Sequence, residues 1–117
     1  MKQGEIYWVD FGEPLGSEAA FTRPAVVIQN DRFNDSALPT VIVCPTTTRL
    51  RPFPGRVILK AGEAGLRADS MVETWMPMTI DRRALRDRLG ELRTAQVRQV
   101  LEGMLLYIRP GWDDELT

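Results

Sequence analysis

Thr22-Arg23-Pro24-Ala25-Val26-Val27-Ile28-Gln29-Asn30-Asp31 opens with a cation and a proline, runs through four apolar residues and closes with three hydrogen-bonding side chains. The β-branched run after Pro24 has the content of a packed strand, and the proline fits the start of such a strand, where a missing ladder N–H is tolerated. Asn30 or Asp31 then suits the cap of a brief helical turn. The arginine is not required by the strand, whose ladder is made by backbone groups. It asks for a reason outside it.

On the N-terminal side, residues 4–11 set Ile6 and Trp8 against Tyr7, Val9 and Phe11, the alternation of a half-buried strand. Residues 12–21 follow as a polar loop marked by Gly and Pro. On the C-terminal side, residues 40–45, 55–60 and 69–80 supply further strands, the last interrupted by Pro77, which predicts an edge or a bulge there. Asp81 can cap a turn through residues 82–85, and residues 86–92 give a last short strand. Thr94 is expected to cap a helix over residues 95–108. Its stripe of Val97, Val100, Leu101, Met104, Leu105 and Ile108 reads as core, before Pro110 and Gly111 stop it. Short strands closed by a terminal helix predict a mainly β (α+β) fold built on a small, strongly curved antiparallel sheet or barrel.

With 117 residues and 44% apolar content, the chain fits one domain over residues 1–117 that buries a core without staples. Cys44 is the lone cysteine and sits in a strand pattern, so an inert core thiol in a reducing cytoplasm is expected. No stretch approaches the roughly 20 apolar residues needed to cross a bilayer, and residues 1–10 lack the apolar centre of a signal peptide. A net charge of −1 argues against a protein that coats nucleic acid indiscriminately. The signs are nevertheless segregated: Arg49, Arg51 and Arg56 lie in an acid-free loop, whereas residues 111–117 carry three acids. That loop is either solvated or phosphate-facing.

The chain resembles the MazF/PemK toxin family through Gly4-Glu5-Ile6, Gly16-Ser17-Glu18, Thr22-Arg23-Pro24 and Gln29-Asn30-Asp31, through residues 40–48, and through the Thr79-Ile80-Asp81 segment before the helix. The resemblance implies an SH3-like, CcdB/MazF-like barrel that dimerises with itself and cuts single-stranded RNA without metal or cofactor. The chain would then be the toxin of a type II toxin–antitoxin pair, with a MazE-like antitoxin whose acidic C-terminal tail competes with RNA. Thr47 matches the family's catalytic threonine.

Cleavage through the RNA's own 2′-hydroxyl needs a proton acceptor, a proton for the departing 5′-oxygen and positive charge on the phosphorane. The chain has no histidine, which excludes an imidazole pair, a His-based metal site and a serine triad. Arg23, turned extended by Pro24, can present its fork to a phosphate; its bland alternative is an ion pair with Glu18 or Asp31. Thr47 can hold a phosphate oxygen or the reacting hydroxyl, and Ser17, Glu18, Thr46, Thr48 and Arg49 are candidate RNA contacts. The Arg-x-Asp pair of the PemK branch is replaced by Glu73-Thr74-Trp75, so it does not carry over; Glu73 or Glu18 is the candidate base. Trp75-Met76 and Met78 also depart from the MazF branch. Trp75 either stacks on an unpaired base or packs beneath Pro77. Two other classes stay open: a gyrase-directed protein poison of the same fold, and a non-catalytic RNA- or antitoxin-binding relative.

Overall fold

A computed structural model describes residues 1–13 and 21–111. Strands β1 (Glu5–Asp10), β2 (Thr22–Val27) and β3 (Thr40–Thr47) form an antiparallel meander, with helix α1 (Asp31–Asn34) between β2 and β3. Strands β4 (Val57–Leu59), β5 (Ser70–Val72), β6 (Met78–Asp81) and β7 (Leu85–Glu91) follow, and helix α2 (Thr94–Ile108) ends the described chain. The order across the sheet is β4-β5-β3-β2-β1-β7, with β6 on β3. The expected curved β fold with a C-terminal helix is what the chain adopts.

The stretch 69–80, expected as one interrupted strand, is two. β5 pairs with Thr46 and Thr47 at one end of β3, while β6 pairs with residues 40–43 at the other. Between them residues 73–77 leave the ladder: the Glu73 N–H donates to the Pro45 carbonyl at 2.9 Å, and the Met76 N–H donates to the Glu73 carbonyl at 3.0 Å. Pro77 has no N–H to give, so the chain cannot hydrogen-bond continuously across this bend. β3 thus lies in two sheets at once, and its Thr46–Thr47 end is where the sheet turns.

β2 and β3 are packed on both sides. One core gathers Ile6, Val26, Cys44, Leu59, Val72 and Val100 beneath α2. The other gathers Val9, Ala25, Val27, Val41 and Val43, with Tyr7, Phe11 and Ile80 against it. This explains why Ala25–Ile28 is uniformly apolar rather than alternating. The faces assigned to Tyr7, Val9 and Phe11 agree with the packing, whereas Trp8 is 37% exposed. A 3-10 turn at Glu63–Gly65 closes the seam between the β4–β5 connection and β7. Backbone meets backbone there: a Cβ on Gly65 would lie 2.0 Å from the Leu89 carbonyl oxygen.

The caps are local chemistry. Asn30 accepts the Arg32 N–H at 2.8 Å and Asp81 accepts the Arg83 N–H at 2.8 Å, as expected from sequence. Helix α2 departs by one residue. Arg93 is the cap position, and its N–H donates to Gln96 Oε1 at 2.9 Å, so Thr94 is already helical. The predicted stripe is core only in its first half: Val100 is 1% exposed, while Leu105 is 38% and Ile108 is 66% exposed. Toward its end the helix packs through one side only: Tyr107 reaches Trp75 and the Pro54 carbonyl, while Leu105 and Ile108 stay exposed. Among the described residues no helix is long and apolar enough to cross a membrane.

Candidate active site

Arg23 stands at the start of β2, opposite Val9 of β1. Its Nε and Nη2 donate to the Thr46 carbonyl at 3.0 and 2.6 Å, and Nη2 also pairs with Glu73 Oε1. The two side chains are 25% and 13% exposed, so the pair is half-buried rather than solvated. The bend after β5 is what brings Glu73 there. The ion pair suggested with Asp31 does not form, because that carboxylate accepts the Gln3 N–H at 2.7 Å and the Asn34 amide at 3.0 Å. Ser17 and Glu18 lie outside the described residues.

Beside this pair opens a cleft of about 490 Å³ lined by Arg23, Thr47, Arg49, Arg51, Phe53, Met71, Glu73, Trp75 and Met76. Thr47 ends β3; its hydroxyl oxygen accepts the Arg49 N–H at 3.1 Å, which leaves its O–H free to donate. Thr46 corrects an expectation. It is 2% exposed, and its hydroxyl donates to the Pro24 carbonyl at 2.9 Å, so it has no surface with which to touch RNA. Its part is to carry Arg23 on its carbonyl. Thr48 is exposed outside the cleft lining.

Three arginines and one carboxylate therefore line the same cleft. Arg56, grouped with them in sequence, is turned away: it donates to the Arg51 carbonyl and lines a second cavity, of about 560 Å³, between residues 55–58 and helix α2. Trp75 joins an aromatic row. Its ring lies tilted against Phe53 at 4.6 Å and against Tyr107 at 6.1 Å between centroids. The Tyr107 hydroxyl in turn donates to the Pro54 carbonyl. This aromatic row ties the basic loop to the end of α2. Phe53, flanked by prolines in a loop, was the available sequence signal for an apolar residue with work outside the core, and it was not singled out.

Below the site, the Cys44 thiol is fully buried, and burial first, then the nearby Glu73 charge, push its pKa up to about 12. It is inert at ordinary pH. The cations that the cleft offers an anion are the guanidinium groups of Arg23, Arg49 and Arg51.

This constellation sits in a chain of known kinship. Residues 2–108 match the family model described as PemK-like, MazF-like toxin of type II toxin-antitoxin system. The chain belongs to this family. Endoribonuclease MazF2 of Mycobacterium bovis is 40% identical over 106 residues, covering 89% of this chain and 93% of the relative. Endoribonuclease EndoA of Bacillus subtilis is 32% identical over 110 residues, covering 92% and 94%. Among solved structures, an endoribonuclease in complex with its cognate antitoxin from Mycobacterial species shares the fold with a TM-score of 0.77 at 20% identity, covering 96% of this chain and 98% of that one. The PemK/MazF fold thus carries here a cleft at the bend of β3, with Arg23 and Glu73 paired on its floor.

Proposed function

We propose that this chain is the toxin of a type II toxin–antitoxin pair and cuts single-stranded RNA in the cleft of Arg23 and Thr47. The observation that carries the reading is the half-buried Arg23, held by the Thr46 carbonyl on one flank so that the rest of its fork faces a cleft shared with the Thr47 hydroxyl. A preoriented guanidinium in a partly dehydrated cleft stabilises charge gathering on a phosphorane more than on the ground-state phosphate. Thr47 orients the 2′-hydroxyl or a non-bridging oxygen. Arg49 and Arg51 hold neighbouring phosphates, and Trp75 with Phe53 offers a face to an unpaired base.

The products are a 2′,3′-cyclic phosphate and a 5′-hydroxyl, because the attacking oxygen is the RNA's own. Incubation with a long single-stranded RNA in EDTA tests this: fragments with those ends are expected, and a requirement for divalent metal sinks the mechanism. The chain acts in the cytoplasm as a single domain over residues 1–117 and as a homodimer. The surface that suits a second copy is the exposed Leu105, Leu106 and Ile108 at the end of α2. Light scattering that returns a monomer at micromolar concentration refutes the dimer. The cognate antitoxin presents an acidic, extended tail to the same guanidinium groups as RNA; simultaneous binding of both refutes that overlap.

A further inference from the structure

We propose that Glu73 is the general base of the cleavage, working as one unit with Arg23; this rests on the reading of the cleft as an RNA-cutting site. The chain contains no histidine, and among the described residues that line the cleft Glu73 is the only carboxylate. It is not in regular structure. Its N–H donates to the Pro45 carbonyl at 2.9 Å where the chain departs from the sheet after β5, and this fixes the side chain against Arg23 on the cleft floor. Arg23 engages only Oε1, and among the described residues Oε2 accepts no hydrogen bond. Likewise Arg23, which lines the cleft, uses Nε and Nη2 on Thr46 and Glu73, and among the described residues its Nη1 makes no hydrogen bond.

A phosphate oxygen on Nη1 brings the 2′-hydroxyl of the same linkage to the free edge of the carboxylate. Three events complete the step. The 2′-O–H proton passes to Glu73 Oε2 as the 2′-oxygen forms its bond to phosphorus. The bond from phosphorus to the 5′-oxygen breaks, and that oxygen takes a proton from water in the open cleft. The protonated Glu73 then yields its proton to the hydroxide so formed, restoring the enzyme. The charged and titratable groups around Glu73 are Arg23 from β2, Arg49 and Arg51 from the loop after β3, which line the same cleft, and the neutral, buried Cys44 thiol of β3. Guanidinium groups only donate and the buried thiol keeps its proton, so the carboxylate is the acceptor among them. A mere ion-pair partner for Arg23 would be served equally well by any acceptor of the same shape.

Glu73→Gln provides that acceptor. It keeps the volume and a carbonyl oxygen for Arg23 but takes no proton. Cleavage sites are first mapped with the unaltered protein, and binding is then measured on an RNA with one 2′-deoxy nucleotide at the mapped position. The expected result is a fall in kcat of about 100-fold or more, with affinity for the 2′-deoxy RNA within about twofold and with loss of the acidic limb of the pH–rate profile. Glu73→Asp, one methylene shorter, retains that limb and recovers part of kcat, and serves as well if the glutamine variant folds poorly. Unchanged kcat, or a fall matched by lost RNA affinity with the acidic limb intact, overturns the assignment while leaving the RNA-cutting reading in place. Failure of the unaltered protein to cut any RNA removes both.

Discussion

Replacing Gly103 with alanine sets two effects of opposite sign against each other. In the middle of α2, alanine is favoured over glycine by about 0.8–1 kcal/mol through lower chain entropy. But a Cβ at Gly103 would lie 2.1 Å from the Gly55 carbonyl oxygen and 3.0 Å from Thr74 Cγ2. Relief of the first contact requires the helix and the loop to part by about 1 Å, and overpacking of this kind costs about 1–3 kcal/mol. The loop cannot yield cheaply: Gly55 sits at φ 76°, and its carbonyl accepts the buried Thr74 hydroxyl at 2.9 Å. Loss of that bond adds about 1 kcal/mol. The net destabilisation is about 1–3 kcal/mol, which in a domain of this size lowers Tm by roughly 4–12 °C. Scanning calorimetry on Gly103→Ala checks it. A Tm equal to or above that of the unaltered protein refutes the reasoning, since helix propensity would then have won over the contact with Gly55.

Arg23→Ala should lower kcat about 10²–10³-fold, the usual cost of removing a preoriented donor from a developing oxyanion, whereas Thr47→Ala removes a neutral hydrogen bond worth about 1–2 kcal/mol. Turnover of a fluorogenic RNA that ranks the two the other way contradicts the assigned roles. At the β1–β7 edge, burial raises the Glu5 carboxyl, but hydrogen bonds from Arg88 and the Lys2 N–H outweigh it and hold the pKa below the ordinary glutamate range. A folded value lowered in this way stabilises the protein above the unfolded value, and the contribution is lost as pH falls through the folded one. Arg88→Met should therefore lower Tm at neutral pH and flatten its decline on acidification; parallel Tm curves for the two proteins speak against the pair. Cys44 should resist a thiol reagent at pH 8 until the protein is unfolded, and rapid stoichiometric labelling in native buffer would contradict its burial.

Much of the fold was legible because its determinants are local. The caps at Asn30 and Asp81 follow from one side chain bonding one nearby N–H, and the apolar run after Pro24 needs only its own composition to read as a strand. The split of residues 69–80 was not legible, since which half of β3 each piece joins depends on pairing some thirty residues apart. Pro77 marked the place without giving the path. In the site, Arg23 and Thr47 are singled out through the resemblance to the MazF/PemK family and do line one cleft, whereas the partner of Arg23 is not legible. Glu73 lies 50 residues away in sequence, and only the bend brings it into contact. Thr46 and Thr47 are neighbours of the same type with opposite environments, and the alternation of a strand decides which faces the interior only once the buried side is known.

Because β2 and β3 carry a core on each side, most residues of their middles, Ile42 apart, cannot vary without a packing cost. What else can drift is confined to their tips: Arg23 and Thr47 sit at the ends of these strands, and the residues that could tune which RNA is cut, Arg49, Arg51 and Phe53, lie in the loop beyond. Sequence change is thereby channelled to the rim. A lineage built on this scaffold can exchange one target motif for another by rewriting a few loop positions, while the chemistry and the stability of the sheet pass unaltered from one descendant to the next.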